Sequence, residues 1–256
     1  MAETIIMHSD CRNLHGAIKQ PFQMSFCDPP FNIGESYNGY DDNMMDEEYD
    51  HFTYEWLQMV LDVTQGIICL HGPDHVIDLY QKHMYHMRHR ARRVSWVIWH
   101  YRFGQCGRSN WINSHCHCLI YSTNGISYRW NPDAVLVESD RSSTYDDPRI
   151  FDSERGGRRL PFTVWGIPSD GPYWGRVQGN NRERRDGHPN QLPEVYLERL
   201  IKAYTNPGDW ILDPFGGSGT TIVVAKALER NCVTCDISAA NCESISQRLE
   251  KGAMRV

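Results

Sequence analysis

Trp210-Ile211-Leu212-Asp213-Pro214-Phe215-Gly216-Gly217-Ser218-Gly219-Thr220-Thr221 passes from an apolar run, through a glycine-rich turn, into an Ala- and Val-rich stretch that reads as a helix from Gly219 to Glu229. Glycines at a strand-to-helix turn let the backbone approach a ligand closely, and the free N–H groups of a helix start favour an anion or carboxylate. Seventeen residues after Gly219 a second apolar run, Cys232-Val233-Thr234-Cys235, ends at Asp236. A carboxylate at the end of that strand can accept from both hydroxyls of a ribose. An isolated glycine turn serves packing as readily as binding. With Asp236 in place the pattern implies an adenosyl cofactor, held by Asp213, Phe215, Gly217, Gly219, Thr220 and Asp236. A phosphate-binding loop is disfavoured because no Lys follows Gly219, and Phe-x-Gly-x-Gly is a poor match to the dinucleotide spacing Gly-x-Gly-x-x-Gly.

Cys27-Asp28-Pro29-Pro30-Phe31 also follows an apolar run, Gln23–Cys27, and so falls at the carboxyl edge of a sheet, where ligands collect. An exocyclic amine on an aromatic base is a poor nucleophile because its lone pair is delocalised into the ring. Acceptors that hold its N–H groups favour a tetrahedral, reactive nitrogen, and Asp28 with the Pro29 carbonyl can be those acceptors. Pro29 and Pro30 hold the carbonyl in a rigid extended geometry, and Phe31 offers a face on which an extruded base can stack. The bland alternative is a Pro-Pro turn that merely ends a strand.

The rest of the chain fits one large α/β domain with an elaboration. Its 256 residues can bury a sizeable core. Residues 1–99 alternate apolar runs (Thr4–Met7, Gln23–Cys27, Gly66–Leu70) with helical stretches, among them an amphipathic one around Glu47–Thr64, which is the order of a parallel sheet. Residues 100–187 are rich in Gly, Arg, Ser, Asp and aromatics and read as an irregular insertion. From 188 to 256 the α/β order resumes, with a helix over Pro193–Tyr204. Nine Cys without disulfide-type spacing, and no N-terminal apolar segment, point to reduced thiols in a cytoplasmic setting. No run approaches the ~20 apolar residues that a membrane span requires.

These motifs resemble those of the β-class amino-DNA methyltransferases, in which the catalytic motif precedes the cofactor motif. Asp28-Pro29-Pro30-Phe31 matches the catalytic motif; Phe215, Gly217 and Gly219 match the cofactor loop; Asp236 matches the ribose-binding acid. His8-Ser9-Asp10-Cys11 resembles the family's segment that contacts the cofactor adenine, and His188-Pro189-Asn190-Gln191-Leu192-Pro193 its segment before the cofactor strand. Asp10, Cys11 and His188 are thereby implied as cofactor contacts. Leu192 stands where the family commonly has Lys, and Cys116 where it commonly has Glu. The resemblance implies a Rossmann-like seven-stranded fold and a catalytic half at 1–99. It further implies a target-recognition region at 100–187 and a cofactor half at 188–256. It implies S-adenosylmethionine as cofactor, double-stranded DNA as substrate and a prokaryotic or phage origin. A homodimer and a restriction enzyme as partner stay open. Asp at the first motif position is linked in the family with adenine N6 and Ser with cytosine N4, so adenine N6 is expected here. A silent DNA-binding protein on the same fold is the alternative of another class.

A duplex needs a positive surface, and the net charge of −6 means that this must be local. Between Lys82 and Arg108 the chain carries Arg88, Arg92, Arg93, Arg102 and Arg108 with no acid. Arg182, Arg184 and Arg185, near Tyr173 and Trp174, form a second candidate patch whose aromatics could fill the place of a flipped base. His115-Cys116-His117-Cys118, with Cys106 upstream, invites a zinc reading. Successive strand residues point to opposite faces, however, so no metal is expected.

Overall fold

The computed structural model describes residues 2–14, 16, 20–37, 40–102, 111–141, 154–167, 174–179, 181–185, 188 and 190–255. Cys106, Arg108, Tyr173 and Pro189 lie outside the described residues. The helices and sheet strands run β1 Thr4–His8, β2 Phe22–Cys27, α1 Asp46–Val63, β3 Thr64–Gly72, α2 Asp74–His86, β4 Ala91–His100 and β5 His115–Thr123. They continue with β6 Val164–Trp165, α3 Glu194–Tyr204, β7 Trp210–Asp213, α4 Thr220–Ala227, β8 Asn231–Asp236 and α5 Ala239–Lys251.

The strands form one sheet in the order β1-β8-β7-β2-β3-β5-β4-β6. All pairings are parallel except those of β5, which runs against both β3 and β4. Helices cover both faces, so the central strands lack polar alternation: eight of the nine residues of β3 are buried. One core joins the sheet to α3 and α4 through Tyr196, Leu200, Ile222 and Val224. The other joins it to α1 and α2 through Trp56, Val60, Ile77 and Tyr80. Trp56, Val60 and Ile77, Tyr80 recur at helical spacing, which lays each apolar stripe on the sheet. Asp46, Glu47 and Glu48 in the first turn of α1 complement its dipole.

Register places the chemistry. Ile211 and Leu212 of β7 pair with Met24 and Ser25 of β2, so the glycine turn after Asp213 and the Asp28-Pro29-Pro30 turn leave adjacent strands on the same edge. β8 brings Asp236 beside them, opposite His8 of β1.

Two features of the middle zone differ from the sequence reading. His115–Thr123, whose His115–Cys118 run reads as strand inside a zone otherwise read as an irregular insertion, is a core strand between β3 and β4. Val164–Trp165 adds a short eighth strand beside Ile98 and Trp99, beyond the seven expected. Trp174, offered above as an aromatic for the vacated base position, is buried with its ring against Trp165 and Tyr196. A ring locked in the core cannot reach into a duplex, so that assignment is corrected. Among the described residues no helix is long and apolar enough to cross a membrane.

Candidate active site

One cavity opens at the carboxyl edge of the sheet. Its walls are Asp10–Arg12 after β1, Asp28–Phe31 after β2, His188 and Asn190–Leu192 before α3, Asp213–Ser218 with Thr220 after β7, and Asp236, Ile237 and Asn241 after β8. Every catalytic and cofactor residue expected from sequence lines it except Gly219. Gly219 acts on the turn itself. Its φ of +74° is left-handed, and a Cβ there would lie 3.0 Å from Ile245 Cγ1 of α5. Only glycine allows the turn and α5 to close together.

The turn is held by the strand beside it. Gly216 N–H donates to the Cys235 carbonyl at 2.7 Å, and Gly217 N–H to Asp236 Oδ2 at 2.9 Å. Asp236 also accepts from Ser238 N–H at 2.8 Å and from Asn241 Nδ2 at 3.1 Å. A carboxylate offers about four lone-pair sites, so three donors leave room for a ligand hydroxyl rather than two free oxygens. From the other side Arg248 Nη1 donates to the Ser218 carbonyl at 2.8 Å and to Thr220 Oγ1 at 2.9 Å. Its Nη2 donates to Glu194 Oε1 at 2.9 Å, a pair with both side chains almost wholly buried. Glu194 Oε2 accepts the N–H groups of Met254 and Arg255 at 2.7 and 2.9 Å. This network behind the turn has no local sequence signal; it joins α3, α5 and the segment after α5.

Arg12 secures the segment after β1. It donates to Asp10 Oδ2 at 2.7 Å and to Glu55 Oε2 of α1 at 2.7 Å, and it holds the Asp10 carboxyl below its ordinary range. His188 is kept towards its neutral form by burial.

Asp28 differs from these tied carboxylates. Its Oδ1 is buried and accepts nothing among the described residues. Burial, and then the charge of Asp213, push its pKa well above the usual range. Asp213, buried beneath the turn, is pushed up to about 6 by burial, although Phe215 N–H donates to it at 3.1 Å and Thr221 also bonds it. The neighbouring carbonyls are engaged: Tyr49 Oη donates to that of Pro30 at 2.8 Å, and His75 Nε2 to that of Phe31 at 2.9 Å. These contacts fix the turn while leaving Asp28 to a ligand. Phe31 lines the cavity with 9% of its surface exposed.

The arginines separate into two groups. Arg88, Arg92 and Arg93 stand at or before the start of β4, and the cavity lies at the edge where the parallel strands end. Ten residues at about 3.3 Å each span about 30 Å, so these three are across the sheet from the cavity. Arg88 folds over Tyr85, and Arg93 packs on Trp96 and donates to Gln81. Arg102 follows the other end of β4. Arg182, Arg184 and Arg185 belong to the segment tied to the cavity wall, where Arg185 N–H donates to Gln191 Oε1 at 2.9 Å.

His115 and His117 share a strand face and meet Asp74. Trp96 Nε1 donates to His117 Nδ1 at 3.0 Å. That fixes the proton on Nε2, where it is given to Asp74, leaving no lone pair there for a metal. Sequence reasoning passed over Arg12, Asn190, Ile237 and Asn241 as lining residues; Asn190 lay inside a segment already marked.

A family model described as "DNA methylase" matches residues 22–247. The chain is 28% identical over 255 residues to the type II methyltransferase M.HpaI of Haemophilus parainfluenzae, covering 98% of this chain and 75% of that one. It is 26% identical over 262 residues to the DNA adenine methyltransferase YhdJ of Escherichia coli (strain K12), covering 97% and 83%. Among solved structures, the fold resembles an M1.HpyAVI–SAM complex (TM-score 0.65, 17% identity, covering 96% and 98%). It also resembles the cytosine-N4-specific PvuII DNA methyltransferase (TM-score 0.67, 13% identity, covering 96% and 86%).

Proposed function

The chain belongs to the DNA methylase family, and on that premise we propose that it transfers the methyl group of S-adenosylmethionine to adenine N6 of a base flipped out of double-stranded DNA. At the coarser level it is a DNA methyltransferase of the N6/N4 class.

The observation that carries the reading is the buried, unpartnered Oδ1 of Asp28 in the cavity that also holds the glycine turn. A buried acceptor without a donor costs about 1–3 kcal/mol, and an amino group entering the cavity removes that penalty. The residues fit the cofactor: Asp236 retains room for a ribose hydroxyl, Asp10–Arg12 and Ile237 border the far end, and the buried carboxylate of Asp213 suits a cationic group. When bound, the cofactor supplies an electrophilic methyl group. Asp28 would accept an N–H of the target amine and draw its lone pair out of the ring, which leaves that nitrogen nucleophilic toward the methyl group the bound cofactor would supply. The extra proton of the methylated amine then passes toward Asp28 or solvent. Phe31 supports the base on one side.

Adenine rather than cytosine rests on Asp28 at the first motif position and on likeness to a relative named as an adenine methyltransferase. Arg182, Arg184, Arg185 and Arg102 are proposed as backbone contacts, because the first three belong to the segment that Arg185 ties to Gln191 of the cavity wall and Arg102 follows the end of β4 on the cavity's edge of the sheet. Residues 100–187 outside the sheet are proposed as the target-recognition region.

The test is to incubate the protein with S-adenosylmethionine and unmethylated genomic DNA, digest to nucleosides, and identify methylated bases by mass spectrometry beside an Asp28→Ala control. N6-methyladenine in the wild type alone is expected. N4-methylcytosine would overturn the choice of base, and no methylated base would overturn the reading.

A further inference from the structure

Asn190 stands in the wall of the same cavity as Asp28 and Phe31, and the chemistry above gives this residue no role. Its side-chain oxygen is not free. Arg176 Nη2 donates to Asn190 Oδ1 at 2.7 Å. A guanidinium has donors only, so the amide atom facing it must be oxygen and the Nδ2 group must point elsewhere. The usual ambiguity of an amide orientation is therefore removed by the chemistry of the partner. Asn190 Nδ2 donates to none of the described residues. Arg176 is itself braced, lying over the Tyr101 ring at 5.4 Å, while Tyr101 Oη donates to the His115 carbonyl at 3.1 Å. The next residue, Cys116, feels the charges of both Asp28 and Arg176, so this braced wall and the catalytic turn are neighbours.

From this geometry we propose that Asn190 is a specificity-determining residue that donates a hydrogen bond from Nδ2 to the ring nitrogen next to the target amine, with Arg176 as its positioning residue. The proposal rests on the reading that the cavity takes a flipped base. Adenine and cytosine both present an amino donor beside a ring-nitrogen acceptor on the pairing edge; guanine and thymine present the reverse, a carbonyl beside a ring N–H. Asp28 as acceptor and Asn190 as donor complement the first arrangement. They oppose the second at both positions, which leaves buried groups unpaired and is the strongest way a site rejects a wrong ligand. The pair thus separates amino bases from keto bases.

The experiment uses duplex oligonucleotides carrying the methylated site identified in genomic DNA, with either the natural base or its deaza analogue at the target. The analogue is 1-deazaadenine (3-deazacytosine if cytosine is the target), in which a C–H replaces the acceptor nitrogen. Wild type is expected to lose about tenfold to hundredfold in kcat/KM on the analogue, the effect of one missing hydrogen bond. Asn190→Ala is expected to lose a similar factor on the natural base, with little further loss on the analogue, since both changes remove the same bond. Arg176→Ala should blunt the discrimination while Arg176→Lys, which still donates, restores most of it. Cofactor affinity by calorimetry should be unchanged in all three variants. Equal discrimination in wild type and Asn190→Ala, or a fall in cofactor affinity that matches the fall in rate, overturns the assignment. A wild type that methylates the natural duplex keeps the functional reading whatever the analogue shows, and one silent on it overturns both.

Discussion

Asp213→Asn should make the unliganded protein more stable at pH 8 and leave it nearly unchanged below pH 4. The carboxyl is buried, and its pKa rises from the ordinary 3.8 to about 6 mainly through burial. At about 1.4 kcal/mol for each pH unit, that rise is about 3 kcal/mol. The sign follows from a folded-state value above the unfolded one. Below pH 4 both states hold the proton and nothing is lost. Between pH 4 and 6 the unfolded state ionises first and stability falls with rising pH; above 6 the loss is complete. Asn keeps the shape, accepts from Phe215 N–H through its oxygen, and can donate to the Thr221 hydroxyl, so it should recover up to about 3 kcal/mol at pH 8. Urea unfolding of both proteins at pH 4, 6 and 8 reads this as a difference that opens with pH. An Asp213→Asn protein less stable than wild type at pH 8 would falsify the view that this carboxylate is strained by burial and awaits a cationic ligand.

Methyl transfer should fall on the acid side at a pH well above that of an ordinary carboxylate, because Asp28 must be ionised to accept from the amine and its pKa is raised. A pH profile of kcat/KM from 5 to 9, repeated in the Asp213→Asn background to remove the other titrating acid, should retain that limb; its disappearance would assign it to Asp213. Gly219→Ala forces a left-handed φ on a residue whose Cβ meets Ile245 at 3.0 Å. It should destabilise the protein by about 1–3 kcal/mol and weaken cofactor binding, as thermal unfolding with and without S-adenosylmethionine would reveal. Arg248→Met strands Glu194 as a buried charge without its partner, with an expected loss of about 3–5 kcal/mol. The paired change Arg248→Met with Glu194→Gln should recover part of that loss in denaturant unfolding, and no recovery would contradict it.

What the sequence disclosed was local. The glycine turn, Asp28 to Phe31 and Asp236 announce themselves because each needs particular residue types at a strand end, and strands β1, β2, β7 and β8 are short apolar runs with clear stops. Arg88, Arg92 and Arg93 misled because counting charge along a chain ignores which end of a strand each residue occupies. His115–Cys118 could be read as strand, but the central place of His115–Thr123 in the sheet comes from β3 and β4, which composition cannot show. The contacts of Asn190, inside a marked segment, and of Arg248 were invisible for the same reason. Their importance lies in partners 14 and 54 positions away.

The adjacency of β2 and β7 also governs when the protein can become active. Trp210 N–H donates to Gln23 Oε1 across 187 residues of chain, and closing a loop of that length costs about 4–5 kcal/mol of entropy before any contact repays it. Non-local pairing of this kind slows folding. On the ribosome Asp28 emerges long before the glycine turn that faces it, so the first-made half carries an acceptor with no cofactor wall opposite. The wall opposite Asp28 is complete only after β7, β8 and α5 have all been made and docked, because Asp236 and Arg248 hold the glycine turn.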